Sequence, residues 1–153
     1  EYNQQYMDKN PNAAPTDFMK LAEIYVNKAK KDPAKKVENI DKAIGVYAKL
    51  AEKYPTLKPF AKLQEGNTAF QNELDDKAIA AYTEVINDLE AKQCDEDELS
   101  YLKTSYQYMG FIYTYDKQDF DTAKPYWDKL LKLDPQNKLA NDAYEKAGLK
   151  PGE

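Results

Sequence analysis

The chain has 153 residues, of which 42% are hydrophobic and 32% are charged, and its formal net charge is −5. This length is typical of one domain, and the composition is too apolar for a disordered chain and too charged for a membrane-spanning one. All 22 basic residues are lysine, and arginine and histidine are both absent. We expect no nucleic-acid partner, because an acidic chain without arginine lacks planar donors for phosphates and base edges. No direct membrane insertion is expected either, because no apolar run approaches the roughly 18 residues of a spanning helix.

The absence of histidine removes the commonest general base and the commonest metal ligand, so we expect no catalytic, cofactor or metal site. An enzyme domain that works through carboxylates or lysines is the alternative. Cys94 is the only cysteine, and the carboxylates of its "CDEDE" run disfavour a thiolate. That run is predicted to begin a helix, with Asp95 as the cap and Glu98 at the capping-box position. A calcium site is the alternative interpretation of the same carboxylates.

Helical periodicity covers almost the whole chain, and glycine is scarce. The first clear helix begins at "APTDFMKLAEIYVNKAK", where Thr16 or Asp17 is the expected N-cap. Pro33 is expected to break this helix and to suit the first turn of the next one. That next helix is predicted to run through Ile40 to Ala51 and to stop before Pro55. Five further helices are predicted, at about 60–72, about 75–90, Asp95 to Tyr115, Asp119 or Asp121 to Leu133, and Asn137 to Ala147. Gly148 is expected to close the last of them.

Two helix pairs share one signature. The first pair reads Phe18, Leu21, Ala22 and Tyr25, then Ala43, Tyr47, Leu50 and Pro55; the last pair reads Tyr106, Met109, Gly110 and Tyr113, then Ala123, Trp127, Leu130 and Pro135. A weaker middle copy retains Gly66, Ala78 and Tyr82. Small residues let paired helices approach closely, and aromatic residues fill the space between pairs. Trp127, the only tryptophan, is therefore predicted to be a core residue.

This signature resembles the tetratricopeptide repeat, a helix-turn-helix unit with aromatic, small and proline residues at set spacing. The resemblance implies an all-α fold, a right-handed α-α superhelix of stacked antiparallel helix pairs in a single array. Residues 1–12 are expected to be the remnant of a preceding repeat, with an N-terminal cap helix as the alternative. The remaining expected boundaries are a repeat at 15–57, a degenerate repeat at 58–92, a repeat with an extended first helix at 95–136, and a C-terminal capping helix at 137–148.

Proteins similar to this family are mostly scaffolds, so the resemblance implies a protein–protein interaction module that holds a peptide or protein segment in a concave helical groove. A structural spacer within a longer array is the alternative. The groove is expected on the first helix of each pair, and its predicted residues are Met19, Glu23, Asn27, Asn67, Phe70, Gln71, Gln107, Phe111 and Tyr115. Leu63 belongs to the same stripe, but a slip of one residue in the weak middle copy would place both Leu63 and Phe70 in the core.

Members of the family that clamp a carboxylate use lysine, asparagine and arginine on this stripe. Only Asn67 matches that pattern, so no carboxylate clamp is expected. The chain begins with Glu1 rather than methionine. This start, together with the absence of clamp chemistry, favours an exported bacterial scaffold, periplasmic or associated with the outer membrane, over a cytoplasmic one.

Overall fold

A computed structural model describes residues 4–153, and within this range it contains eight α-helices and no β-strand. This confirms the predicted all-α class. Residues 1–3, which belong to the predicted remnant of a preceding repeat, lie outside the described range. The helices are α1 (Gln4–Lys9), α2 (Pro15–Lys31), α3 (Lys36–Lys53), α4 (Lys58–Gln71), α5 (Asp75–Leu89), α6 (Glu96–Phe111), α7 (Phe120–Leu133) and α8 (Lys138–Lys146).

The chain divides into two compact units, the first ending at Ala81 and the second beginning at Tyr82. The division falls inside α5 and within the predicted middle repeat, 58–92. In the first unit, α3 packs against α2 and also against α4. In the second unit, α6 packs against α7, and α8 packs against both of them. Each unit thus contains the adjacent helix pairs that the signature predicts.

The core of the first unit lies between α2 and α3 and follows the signature. Phe18, Leu21 and Ala22 on α2 are buried, and so are Ala43 and Leu50 on α3. Around this core lie half-buried aromatic and aliphatic side chains, which are Tyr25, Val26, Tyr47, Ala51, Tyr54, Leu57 and Phe60. Burial of the small residues allows the two helices to approach closely, as expected of a helix pair in this kind of repeat.

The beginning of α2 differs from the prediction. Neither Thr16 nor Asp17 is the N-cap; Ala14 occupies that position, and Pro15 is the first helical residue. Asp17 still satisfies a backbone donor, because its Oδ2 accepts the amide of Ala14 at 2.9 Å. The proline explains the shift, since it has no amide hydrogen to lose and its fixed φ suits the first helical position.

The second helix of each full pair ends in the same way. Tyr54 at the end of α3 has φ −125° and ψ 78°, and Asp134 at the end of α7 has φ −142° and ψ 81°. Their amides donate to Leu50 and Leu130 respectively, both at 2.8 Å. A proline follows each of these residues, which prevents the helix from continuing and confirms the predicted stops.

Two helical segments end with a residue in the left-handed conformation that is not glycine. Glu73 follows α4 with φ 63°, and Gln118 follows the segment after α6 with φ 52°. Neither position is a glycine, the residue from which such a helix end is predicted in a sequence. Gly148, by contrast, ends α8 with φ +71°. The amides of Gly148 and Leu149 donate to the carbonyls of Glu145 and Tyr144 respectively. The predicted closure of the last helix is therefore confirmed.

Helix α7 is capped by Asp119, not by the alternative Asp121. The Asp119 carboxylate accepts the amide of Thr122 at 3.1 Å and its hydroxyl at 2.5 Å. Because α7 begins at Phe120, Pro125 lies in its second turn and not at the end of its first. The proline leaves the carbonyl of Asp121 without its helical donor, and Pro125 itself is exposed, so water can satisfy that carbonyl.

Trp127 lies in the core of the second unit, as predicted, with 0% of its surface exposed. Its indole Nε1 donates to the Thr114 hydroxyl at 2.9 Å. The ring faces Gly110 so closely that a Cβ built there would lie 2.6 Å from ring carbons. Gly110 is thus required by the tryptophan, and the two helices meet at this glycine.

Candidate functional site

The stripe predicted on the last helix pair runs along α6 and just past its end. Gln107, Phe111 and Tyr115 are spaced four residues apart, and all three are half-buried. The rings of Phe111 and Tyr115 contact each other, with centroids 4.8 Å apart and planes tilted by 45°. The structure therefore places these two predicted residues together as one aromatic pair, partly open to solvent.

Helix α8 lies along this stripe and contacts it at both ends. At its start, Asn137 Nδ2 donates to Gln107 Oε1 at 3.0 Å. Near its end, Lys146 Nζ lies 4.6 Å from the centre of the Tyr115 ring, a cation–π distance. Because the start of α8 meets Gln107 and its end meets Tyr115, α8 runs parallel to α6. Gln107 and Tyr115 are therefore used partly in packing against the capping helix.

The backbone widens immediately after Phe111. Residues Ile112–Asp116 form a π-helical turn, in which the Lys117 amide donates to the Ile112 carbonyl at 2.9 Å. The Asp119 amide then donates to the Tyr113 carbonyl at 2.7 Å. A wider turn shifts each later side chain around the helix axis relative to an ordinary α-helix. The sequence reasoning predicted a helix that reaches Tyr115 but not this change of geometry, which no residue pattern in the segment announces.

A cavity of about 330 Å³ opens beside Tyr115. Its apolar wall comes from the rings of Tyr115 and Phe120 and from the methyl groups of Ala143 and Ala147. Thr114, Gln118 and Lys146 supply its polar groups. This combination of a mostly apolar wall with a few polar groups is typical of sites that take up a side chain or a small molecule. Sequence reasoning missed the cavity, because α8 and the π-helical turn form it together.

The predicted stripes in the first unit are more polar at their surface. On α2, Glu23 and Asn27 are exposed and Met19 is half-buried; on α4, Gln71 is exposed, whereas Asn67 and Phe70 are half-buried. Four-residue spacing places Met19, Glu23 and Asn27 on one face of α2. Leu63 is buried with 6% exposure and belongs to the core, whereas Phe70 is only half-buried, so the slip of one residue is met for Leu63 alone.

Comparison with known families matches part of this architecture. Residues 18–56, which span α2, α3 and the turn after them, match the family model of the tetratricopeptide repeat. This helix pair is a tetratricopeptide repeat. The match covers the pair in which Phe18, Ala22, Ala43, Tyr47 and Pro55 carry the signature. No curated protein and no solved structure matches the chain.

The acidic run at residues 95–98 begins α6, as predicted. The Glu98 amide donates to Asp95 Oδ1 at 2.8 Å, and the Asp95 amide donates to Glu98 Oε1 at 3.3 Å, which completes a capping box. Within residues 4–153, no group of three or more cysteine, aspartate and glutamate side chains is arranged to hold a metal ion. The run thus contributes to the start of α6, where carboxylates also favour the positive end of the helix dipole.

Cys94 is half-buried, and its thiol donates to the Leu89 carbonyl at 3.3 Å. Burial and the negative charge of Glu98 raise the pKa of the Cys94 thiol. A raised pKa keeps the sulfur protonated at neutral pH and lowers its reactivity. None of the helices in the described part of the chain combines the length and apolar character needed to cross a membrane.

Proposed function

We propose that this protein is an interaction module that binds a protein segment along the stripe of α6 and in the cavity next to it. The observation that carries the proposal is the contact of the Phe111 ring with the ring of Tyr115, which lines the 330 Å³ cavity. Aromatic anchors beside a pocket supply much of the affinity in protein interfaces. The tetratricopeptide-repeat family as a whole generally acts in protein–protein interaction and is generally non-catalytic.

The chemistry of the cavity indicates which kind of segment fits. Its wall is made mainly by two rings and two alanine methyl groups, so an apolar side chain of the partner would displace water there. The Lys146 ammonium at its edge favours a carboxylate or a carbonyl oxygen next to that side chain. We therefore propose a segment that pairs an apolar anchor with an acidic neighbour.

The polar stripes of the first unit are proposed as a second, separate binding surface. Glu23, Asn27 and Gln71 supply hydrogen-bonding groups, and Met19 supplies a flexible apolar side chain that adapts to different shapes. The protein is proposed to have no catalytic role, in keeping with its lack of histidine.

Photo-crosslinking tests the proposal directly. A benzophenone amino acid at position 111 in the full chain should capture the partner in a lysate of the source organism, and mass spectrometry of the product identifies the captured segment. With that segment purified, Phe111→Ala and Tyr115→Ala should each weaken binding by about 2 kcal/mol or more, close to thirtyfold, in calorimetric titrations.

A matched control is available within the same unit. Tyr113 and Tyr126 form another half-buried ring pair, stacked with centroids 6.2 Å apart, that does not line the cavity. Removing both rings should leave the affinity nearly unchanged. Full affinity in the Phe111→Ala/Tyr115→Ala double variant would move the site off this stripe. Loss of helical circular dichroism in that variant would show that the two rings belong to the core.

The export of this protein to the periplasm or outer membrane of a bacterium is a further part of the proposal. It is supported by the predicted stripe, which lacks the residues of a carboxylate clamp except at Asn67. Fractionation of source cells with an antibody against the protein tests it. Recovery with cytoplasmic markers would contradict it.

A further inference from the structure

Lysines are concentrated at the turn between α2 and α3, far from the proposed binding stripe in sequence. Residues 28–42 contain six lysines against three carboxylates, a local net charge of +3 in a chain whose net charge is −5. The turn itself is a short 3-10 segment, Pro33–Lys35, between the two helices. Concentration of one charge against the balance of the whole chain marks this turn as a place where an anion would be attracted.

The lysines surround a real depression and not a flat surface. A cavity of about 360 Å³ is lined by Lys28, Lys31, Asp32, Lys35, Glu38, Asn39 and Lys42. Four ammonium groups against two carboxylates leave its lining with a net charge of +2. The cavity lies entirely within the first unit, in the same helix pair that matches the tetratricopeptide-repeat family.

The lysines of this cavity are not equally engaged. Lys42 Nζ pairs with Glu38 Oε1 at 2.6 Å, and Lys28 Nζ lies 5.4 Å from the centre of the Tyr25 ring. Lys31 and Lys35 form no salt bridge with any of residues 4–153. Their ammonium groups are therefore available for an anion in the cavity, whereas Glu38 is already neutralised by Lys42.

Asn39 is the feature that distinguishes this cavity from an ordinary lysine-rich surface. Its side chain is only 7% exposed, yet it lines the cavity. Within residues 4–153, no hydrogen bond engages its amide group. The amide atoms are not fully buried, so they meet the solvent of the cavity that the residue lines. A ligand in the cavity can therefore accept from Nδ2 in place of water.

We propose that this cavity binds a dianionic oxyanion of the phosphate class, with Lys31, Lys35 and the Asn39 amide as donors. The charge of a phosphate or phosphate monoester near pH 7 matches the net charge of +2 on the lining. Lysine binds phosphate as a compact point charge, so the absence of arginine does not weaken the assignment. The shared chemistry is a phosphoryl group, carried either by a small free molecule or by a phosphorylated side chain.

Titration with inorganic phosphate at constant ionic strength tests the proposal. In ¹⁵N-resolved NMR spectra of the full chain, the Asn39 side-chain amide and the backbone amides of residues 35–39 should shift and saturate. Lys31→Gln/Lys35→Gln should weaken phosphate binding by about tenfold or more, since each substitution removes a charge-assisted contact. Lys30→Gln/Lys36→Gln is the matched control, because it removes the same charge from the same stretch without touching the lining.

The control variant should change the affinity less than about threefold. Equal weakening by both double variants would overturn the site, because it would show only general attraction by the lysine-rich stretch. Shifts that do not saturate would overturn it as well. Acetate is titrated in parallel, and binding of acetate as tightly as phosphate would overturn the assignment of a dianion.

Asn39→Ala separates a binding role from a structural one. An amide without a partner in the fold contributes no hydrogen bond to lose, so this variant should melt no lower than the wild type while binding phosphate about tenfold more weakly. A lower melting temperature with unchanged phosphate affinity would assign Asn39 to the fold and overturn its role as a donor.

Phosphoserine distinguishes the two sources: tighter binding than inorganic phosphate supports a phosphorylated side chain, and weaker binding supports a small free phosphate.

Discussion

The helix pairs α2–α3 and α6–α7 are built on one pattern but fill it with different side chains. In the first pair, Ala22 on one helix is matched by Tyr47 on the other; in the last pair, Gly110 is matched by Trp127. Tyr47 remains half-buried, whereas Trp127 has no exposed surface. In the last pair the larger ring is accommodated by a smaller neighbour, since a Cβ at Gly110 would lie 2.6 Å from ring carbons of Trp127.

A second difference concerns polarity at the first position of the signature. Phe18 in the first pair is purely apolar, and Tyr106 in the last pair carries a hydroxyl although it is only 3% exposed. That hydroxyl donates to Glu90 Oε1 at 3.0 Å, so the polar atom is satisfied. A lysine ammonium lies over each ring, Lys53 at 5.7 Å in the first pair and Lys129 at 5.8 Å in the last. The last pair therefore includes a buried polar network that the first pair lacks.

Trp127→Ala should cause the largest loss of stability of any single change in the two pairs. Removing a fully buried indole leaves a cavity and should lower the free energy of unfolding by about 3–5 kcal/mol. Tyr47→Ala, at the aligned but half-buried position, should cost less, about 1–3 kcal/mol. Urea unfolding followed by circular dichroism measures both. In the wild type, the emission of Trp127 should be shifted to the blue of free indole, because the ring is shielded from water.

The comparison would fail if Tyr47→Ala cost as much as Trp127→Ala, since the two pairs would then depend equally on their second-helix aromatic residue. It would also fail if Trp127 emitted like free indole and its alanine variant unfolded at the wild-type urea concentration. Only this second result would remove Trp127 from the core.

Gly110→Ala tests the complementarity of the two residues. The added methyl group would lie 2.6 Å from ring carbons of Trp127, and the ring cannot move easily because it is buried and its Nε1 is bonded to Thr114. We expect a loss of about 1–3 kcal/mol in the free energy of unfolding from this overpacking. Gly110→Ala/Trp127→Tyr reproduces the combination of the first pair. The double variant should therefore be more stable than the sum of the two single losses predicts.

Gly45→Ala is the matched control for this cycle. Gly45 lies inside α3, is exposed, and has nothing within 4 Å of the position of an added Cβ. Alanine there should raise the free energy of unfolding by about 0.5–1 kcal/mol, because glycine is a poor helix former. Strict additivity of Gly110→Ala and Trp127→Tyr would mean that the close approach of the two residues does not decide the packing of the last pair.

The core of both pairs could be predicted from sequence because it depends on spacing. Ala43, Leu50, Ala123 and Leu130 recur at the same steps, and all four are buried. Helix ends marked by proline or by Gly148 were predictable for the same reason, since these residues act locally. The α2 cap was not, because Thr16, Asp17 and Pro15 offer competing local signals and the proline prevails.

The candidate site could be predicted only in part. Four-residue spacing correctly brought Phe111 and Tyr115 together, but the contact of Lys146 with Tyr115 depends on how α8 packs, which local sequence does not encode. The left-handed conformation of Gln118 and the π-helical turn before it could not be predicted, because no glycine marks either of them in the sequence. Asn39 lies in a polar stretch of sequence that gives no sign of burial. Its burial is seen only once α2 packs against α3.

The two pairs also share an ion pair whose acid precedes the pair, Asp8 on α1 and Glu90 directly after α5. Asp8 pairs with Lys49 at 3.0 Å in the first unit, and Glu90 pairs with Lys129 at 2.5 Å in the second. Hydrogen bonds from Lys49 and Gln4 lower the pKa of Asp8. Hydrogen bonds from Lys129 and Tyr106 lower the pKa of Glu90. Of the two acids, only Glu90 also accepts a hydrogen bond from a nearly buried tyrosine, Tyr106. We therefore expect Glu90 to contribute more to the stability of the fold than Asp8 does.

The smallest expected effect is the acid dependence of these carboxylates. A carboxyl whose pKa is lower in the folded chain binds fewer protons there than in the unfolded chain, so it stabilises the fold above its unfolded pKa. That contribution is lost as pH falls through the folded pKa, in the range below about pH 4. Glu90→Gln should therefore lower the melting temperature slightly at pH 7, and the difference from wild type should disappear by about pH 3. Asp8→Asn should show a smaller difference at pH 7, because its carboxylate contacts solvent-exposed groups only. A larger effect for Asp8→Asn, or a Glu90→Gln difference that persists in acid, would show that the hydroxyl of Tyr106 does not depend on the charge of Glu90.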